Sequence, residues 1–361
     1  MFFSYYKQFY HKIVRGDFVK IFSVFFLILS MFTFNKEKEI QYVSNSYIVL
    51  EKNTLSVIEG KNIYNTQSVA SISKIMTGIL AIEHLDLSEK VYVDDCIDKA
   101  YGSAVYLKKG TWISNQDLVY GLLLRSGNDC ALMIAKSVSN EESKFVDLMN
   151  KKAKELGMNK TTFSNPHGLD EIDGGNISCA YDMALLQSYA LQNDIYRHIT
   201  SQSKYKSEDY GIWVNKNKLI NQYEYCISGK TGYTRIAKRT LITTARKDNL
   251  ELIVVTLNCG GDFAYHKQLY EKHFSIYENR LIVKKGELVL LEHKIFIPDN
   301  LYYFVKKEIE TQILIEINKD KCHVYVIDEE KTLLGEFEYE EITKVESFFY
   351  KLIKGWKEMF I

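Results

Sequence analysis

The chain reads as an α/β fold of the α+β type, and three observations predict it. Strand-like runs stand at both ends of its first 260 or so residues, helical periodicities fill the interval between them, and after about residue 280 the texture is one of short β runs only. One antiparallel sheet assembled from both ends of that first region, with helices packed on it and a helical insert, satisfies this order. A small all-β region then follows it.

The first 40 residues stand apart. Lys7, Lys12, Arg15 and Lys20 precede the apolar run "IFSVFFLILSMFTF" (21–34), and "NKEKE" closes it. A basic flank before a run too short to span comfortably has the form of an export signal. No small-x-small cleavage site follows, so an uncleaved N-terminal anchor is the alternative. In both cases the bulk of the chain lies across the membrane from the positive flank.

The sheet begins in "SYIVLEKNTLSVIEGKNIYN" (46–65), two strands joined by a turn at Lys52–Thr54. "SVASISKIMTGILAIEHL" (68–85) carries Ile72, Ile75, Met76, Ile79, Leu80 and Ile82 at helical spacing, an inward-facing helix with Ser71 and Lys74 in its first turn. Helical periodicity continues through "NQDLVYGLLLRSGNDCALMIAKSV", "EESKFVDLMNKKAKELGM", where Gly157 ends the helix, and "AYDMALLQSYALQ". Strands return in "RTLITTARKDNLELIVVTLN" (239–258), two β runs about a turn at Arg246–Asn249. "LVLLE", "KIFI", "YYFV", "QILIEI", "CHVYVI" and "LGEFEYE" supply the second region.

The expected layout is therefore residues 1–40 as signal or anchor, 41–278 as the mixed domain, 279–340 as a β domain, and 341–361 as an amphipathic helix. In that last segment Ile342, Val345, Phe348, Phe349, Leu352, Ile353, Trp356, Met359 and Phe360 form one stripe. Lys344, Lys351, Lys354 and Lys357 populate the remainder, as an interfacial membrane helix requires. Docking of the same stripe on the β domain is the alternative.

Composition excludes several classes. Forty-six basic and 46 acidic residues cancel, so no global field favours nucleic acid. The six cysteines (Cys96, Cys130, Cys179, Cys226, Cys259, Cys322) form no C-x-x-C pair and read mostly as small buried hydrophobes. There is no H-E-x-x-H, no clustered His/Cys set and no glycine-rich phosphate loop, so neither a metal nor a cofactor is implied.

The chemistry lies in three short polar motifs, a tetrad and two triplets. In a helix, positions i and i+3 share a face, so Ser71 and Lys74 of "SISK" can meet. "SGN" (Ser126–Asn128) separates two helical runs, and "KTG" (Lys230–Gly232), followed by Tyr233, opens the returning strands. S-x-x-K, S-x-N and K-T-G in that order are the signature of penicillin-binding proteins and serine β-lactamases. With "GSAVYLKKG", "NPHGLD", "AYDMALL" and "SGKTGYT", residues 45 to 260 resemble the low-molecular-mass D-alanyl-D-alanine carboxypeptidases, peptidase family S11. Cys130, where alanine is more usual after "SGND", and Tyr233 after "KTG" are small departures.

The resemblance implies a serine β-lactamase/transpeptidase-like domain that cuts the terminal D-alanine from peptidoglycan stem pentapeptides through an acyl-enzyme on Ser71, and that β-lactams acylate. It implies Lys74 as base, Ser126 as proton relay, and Asn128 as orienting group. Lys230 and Thr231 would hold the substrate carboxylate, Gly232 would admit the substrate beside the strand, and the N–H groups of Ser71 and Tyr233 would form an oxyanion hole. His167 is expected only to shape a loop beside the cleft. No E-x-x-L-N segment stands between "SGN" and "KTG", which argues against the β-lactamase alternative. The intact motifs argue against a non-catalytic penicillin sensor or scaffold.

Overall fold

The computed structural model describes residues 44–170, 175–318, 321–343 and 346–347. The expected export segment, residues 1–40, lies outside them, as does nearly all of the expected C-terminal amphipathic helix. Among the described residues no helix is long and apolar enough to cross a membrane.

Strands β1 (Ser44–Glu51) and β2 (Val57–Lys61) flank the turn at 52–54. Helices α1 (Lys74–His84), α2 (Asn115–Arg125), α3 (Asn128–Ser139), α4 (Glu142–Glu155), α5 (Ala180–Ala190) and α6 (Asp194–Ser201) follow. Strands β3 (Cys226–Thr234), β4 (Lys238–Lys247) and β5 (Leu250–Cys259) then return, and α7 (Asp262–Ile276) closes the first region. Gly157 takes φ +73° just after α4, the left-handed stop expected of it.

The five strands make one antiparallel sheet in the order β2-β1-β5-β4-β3. The strand nearest the start of the described chain thus pairs with the last strand of the region, Ile48 opposite Val255. Side chains alternate across the sheet. Ile48, Leu50, Ile242, Ile253 and Val255 join the core under α1 to α6, while Val49, Ala245, Leu252 and Val254 pack on Leu269, Tyr270 and Phe274 of α7. Covered on both faces, β5 carries the unbroken apolar run Leu252–Val255 at its centre.

Helix α1 is the centre of this packing. Its first eight residues, Lys74 to Ala81, are all buried, and a Cβ on Gly78 would lie 2.9 Å from the Leu123 side chain of α2. A helix surrounded on every side carries whatever stands at its N-terminus into the interior. Five of the six cysteines are buried and Cys96 is half-buried, all with free thiols.

The all-β texture starts directly at the end of α7, slightly earlier than expected. The strands are β6 (Tyr277–Val283), β7 (Gly286–Leu290), β8 (His293–Ile297), β9 (Leu301–Lys306), β10 (Gln312–Ile317), β11 (Cys322–Ile327), β12 (Lys331–Phe337) and β13 (Tyr339–Glu341). They form the small sheets β6-β9, β7-β8-β13 and β10-β11-β12, around a core that includes Ile295, Ile297, Cys322 and Val324. "LGEFEYE" is divided between two of these strands, and Glu341 ends β13 instead of opening a helix.

Candidate active site

Ser71 does not sit in the first turn of the α-helix. It lies in a 3-10 turn, Ala70–Ser73, and α1 proper begins at Lys74. Two local features make the turn tight: Ala70 takes the left-handed conformation at φ +51°, and Ser73 Oγ donates to the Ala70 carbonyl at 2.9 Å. Such backbone strain in a non-glycine residue is held only where neighbours fix it. Here they do: Val69 N donates to Asn176 O and Thr240 Oγ1 donates to Val69 O at 3.0 Å.

Lys74 Nζ lies 3.0 Å from Ser71 Oγ and donates to Asn128 Oδ1 at 2.7 Å and to the His167 carbonyl. Asn128 Nδ2 donates to Tyr101 O, which leaves its Oδ1 facing the lysine. The Lys74 side chain is fully buried. Desolvation, reinforced by the charge of Lys216, pushes its pKa down to about 7. As a free base, Lys74 can give its two N–H bonds to the Asn128 and His167 oxygens, which only accept, and aim its lone pair at the Ser71 hydroxyl. As an ammonium it donates to all three. One geometry serves both protonation states.

The turn between α2 and α3 holds Ser126 in the left-handed conformation, φ +63°. Its Oγ accepts from Lys230 Nζ at 2.9 Å, and the same amine donates to Thr231 O at 2.7 Å. A relay through Ser126 therefore has Lys230 on its far side. Lys230 is also buried, and desolvation with the charges of Lys74 and Lys216 holds its pKa well below the ordinary lysine value. Thr231 is half-buried beside it and Tyr233 is 64% exposed at the strand edge.

Gly232 is closely packed. A Cβ there would lie 2.4 Å from Thr240 Oγ1 and 3.0 Å from Ser71 N, so the missing side chain lets β3 close on the Ser71 turn. The clearance it gives is to the Thr240 side chain and to the backbone of Ser71 and Ile72.

The "NPHGLD" loop forms the opposite wall. His167 offers its carbonyl to Lys74 and Ser71 Oγ, the latter at 3.4 Å, while its ring Nδ1 accepts from Leu169 N at 3.2 Å. Burial and the Lys74 charge push the imidazole down to about 3, so it stays neutral and shapes the loop. Asn165 Oδ1 accepts from Gly168 N at 2.6 Å, and Asn176 Nδ2 donates to Ser73 Oγ at 2.9 Å, tying the loop to the Ser71 turn. Asp170 joins the two walls, accepting from Ser68 Oγ at 3.1 Å and from Thr234 Oγ1 at 2.9 Å.

Of the candidate site residues, Ser71, Lys74 and Asn128 meet in one hydrogen-bonded group, Ser126 and Lys230 meet beside it, Gly232 approaches Ser71 N, and Thr231 and Tyr233 flank Gly232 on the same strand. Sequence reading missed Asp129, whose carboxylate accepts from Val105 N and Leu107 N at 3.1 Å each and holds the rim segment on α3. It also missed Ser103 and Lys216, joined at 2.9 Å. "NDC" and "NKN" carry no periodicity that would have flagged them. Among the described residues no group of three or more His, Cys, Asp or Glu could hold a metal ion.

A buried lysine able to act as a free base, one hydrogen bond from a serine hydroxyl on a strained turn, defines a serine–lysine site suited to acyl transfer. The comparisons agree with that class. The sequence profile of peptidase S11, D-alanyl-D-alanine carboxypeptidase, matches residues 33–261. The D-alanyl-D-alanine carboxypeptidase DacF of Bacillus subtilis is 34% identical over 266 residues, 70% of this chain and 68% of DacF. DacB2 of Mycobacterium tuberculosis, with the same descriptive name, is 30% identical over 217 residues, 59% of this chain and 74% of its own. Penicillin binding protein 5 of Haemophilus influenzae shares the fold with a TM-score of 0.68 at 20% identity, over 84% of this chain and 97% of that one. The chain belongs to the D-alanyl-D-alanine carboxypeptidase family, peptidase S11.

Proposed function

We propose that the chain removes the terminal D-alanine from peptidoglycan stem pentapeptides through an acyl-enzyme on Ser71, and that β-lactams acylate the same hydroxyl. The observation that carries this is the 3.0 Å contact between Ser71 Oγ and a buried Lys74 amine whose other two partners are fixed oxygens. Neutral Lys74 takes the Ser71 proton as Oγ attacks the carbonyl of the D-Ala-D-Ala bond, and Asn128 holds the amine in line. The N–H groups of Ser71 and Tyr233 face the developing oxyanion. Ser126, bonded to Lys230, passes the proton to the leaving D-alanine nitrogen. Lys230 and Thr231 bind the free carboxylate. Water then attacks the acyl-enzyme, and the released serine regains its proton.

Residues 41–278 are the catalytic domain in this reading and 279–340 a separate β domain. The N-terminal segment exports the chain, and the lysine-rich terminal helix holds it against the outer face of the cytoplasmic membrane, close to its substrate. Protein lacking residues 1–40 should bind anionic vesicles, and removal of 341–361 as well should release it with peptidase activity intact.

The deciding experiment is twofold. Purified protein should release D-alanine from a diacetyl-Lys-D-Ala-D-Ala peptide. Penicillin labelling with peptide mapping should place the adduct on Ser71 and vanish in Ser71→Ala. An adduct on Ser73 or Ser126, or a protein that labels without turning over the peptide, would defeat the reading.

A further inference from the structure

Lys216 has no part in the roles assigned above, yet it is built into the cleft. It stands between the hairpin strand Gly211–Val214 and β3, on a segment fixed at three points. Asn215 Nδ2 donates to Gln202 O at 3.0 Å, Asn217 N donates to Asn215 Oδ1 at 2.9 Å, and Lys216 N donates to Leu124 O at 3.1 Å, two residues before Ser126. Its Nζ donates to Ser103 Oγ at 2.9 Å. The carbonyl of Ser103 accepts from Asn128 N at 2.7 Å, and Asn128 in turn holds Lys74. Ser103 and Asn128, each held by hydrogen bonds on both sides, therefore link the Lys216 amine to the base, and three lysines converge on one cleft.

We propose that Lys216 is a positioning residue for the Ser71 reaction, which ties the Tyr101–Ser103 rim to the Ser126 turn and presents a third positive charge to Lys74. The proposal rests on the reading of Lys74 as the base. Lys74 faces Lys216 from this segment, Lys230 from β3, Asp129 and Cys130 from α3, and His167 from the opposite loop. Lys216 itself faces Arg125 from α2. Asp129 draws Lys74 toward its charged form, but its carboxylate is engaged by the backbone N–H groups of Val105, Leu107 and Cys130. After desolvation, the charge of Lys216 is the largest influence keeping Lys74 free of its proton. Remove that charge and Lys74 binds its proton more tightly, so acylation should need a higher pH.

The test is the pH profile of acylation of the full chain by a fluorescent penicillin. In Lys216→Gln the acid limb should move up by about 1 pH unit, the order expected of a neighbouring charge. Lys216→Arg, which keeps the charge, should leave the limb in place. Ser103→Ala should slow acylation at every pH without moving the limb, since it loosens the rim and spares the charge. Should Lys216→Gln fail to fold, Lys216→Met keeps the packed stem without the charge and is read the same way. An equal loss at every pH in the uncharged variants, with the limb unmoved, would reduce Lys216 to packing and overturn the proposal. A wild-type profile with no limb near neutrality would instead sink the reading of Lys74 as base.

Discussion

A Cβ placed on Gly168 would lie 2.2 Å from the carbonyl oxygen of Ala70 and 2.5 Å from Ser73 Oγ. The glycine of the loop is pressed against the backbone of the turn that carries Ser71, and its φ of +77° is itself one that side chains resist. Gly168→Ala should therefore push the two walls of the cleft apart. We expect a loss of about 2 kcal/mol or more in stability and at least tenfold in penicillin acylation, read by thermal melts and labelling rates. A variant that melts and labels as wild type would show that the loop is free to retreat.

Lys74→Arg isolates the base. Arginine preserves the positive charge but cannot give up its proton at working pH. Acylation should fall by about 100-fold or more, the scale of a lost general base. In the unaltered protein the rate should rise with pH through about 7, where the amine loses its proton, and then level. Retained acylation in the arginine variant would move the base to another group.

His266 provides a stability prediction remote from the cleft. The ring is buried between Thr243 and Thr256, with Nδ1 at 2.7 Å and Nε2 at 2.9 Å from their hydroxyls, and desolvation lowers its pKa from 6.5 to about 3. The unfolded chain takes up a proton below pH 6.5 that the folded chain refuses. Stability is therefore lost as pH falls from 6.5 toward 3, by about 1.4 kcal/mol per pH unit for each such histidine. His167 is depressed in the same way and adds to the slope. Urea denaturation at pH 7 and pH 5 should show the loss, and His266→Gln should flatten it. An unchanged slope would mean that the imidazole gains its proton without unfolding.

Deacylation of bound β-lactam should be slow. No E-x-x-L-N segment stands between "SGN" and "KTG" to supply the glutamate that a class A β-lactamase uses to activate water. His167 cannot substitute, because its Nδ1 accepts from Leu169 N and the ring stays neutral. Nitrocefin should give about one equivalent of product followed by very slow turnover. Steady hydrolysis at the rate of an efficient β-lactamase would contradict this.

What the sequence made legible follows from what sequence encodes locally. The apolar spacing of "KIMTGILAIEH" marks α1, and the three motifs, each a short string, name most of the side chains in the cleft. The sheet joining β1 to β5 was inferable because strands appear on either side of the helices. Other features depend on where distant carbonyls fall. The 3-10 turn at Ala70–Ser73 is set by Asn176 and Thr240, which are more than 100 residues away in the chain. The closeness of Gly232 to Ser71 N, and of Lys216 to Ser103, are likewise meetings of segments that no periodicity connects. The sequence reading gave His167 only a loop-shaping part, but its carbonyl, invisible in a string of side chains, is one of the three partners that hold Lys74.

The assembly of the sheet from both ends of its region has a practical consequence. Ser71, Ser126, His167 and Lys230 come from four segments, distant in the chain, that the fold brings together. In the unfolded chain Lys74 is an ordinary hydrated ammonium and Ser71 an ordinary alcohol. Reactivity toward penicillin is thus a property of the folded arrangement, which juxtaposes the amine and the hydroxyl. A covalent label counts folded molecules, so the antibiotic can serve as a stopwatch for refolding, one that registers only chains in which the Lys74 amine has reached the Ser71 hydroxyl.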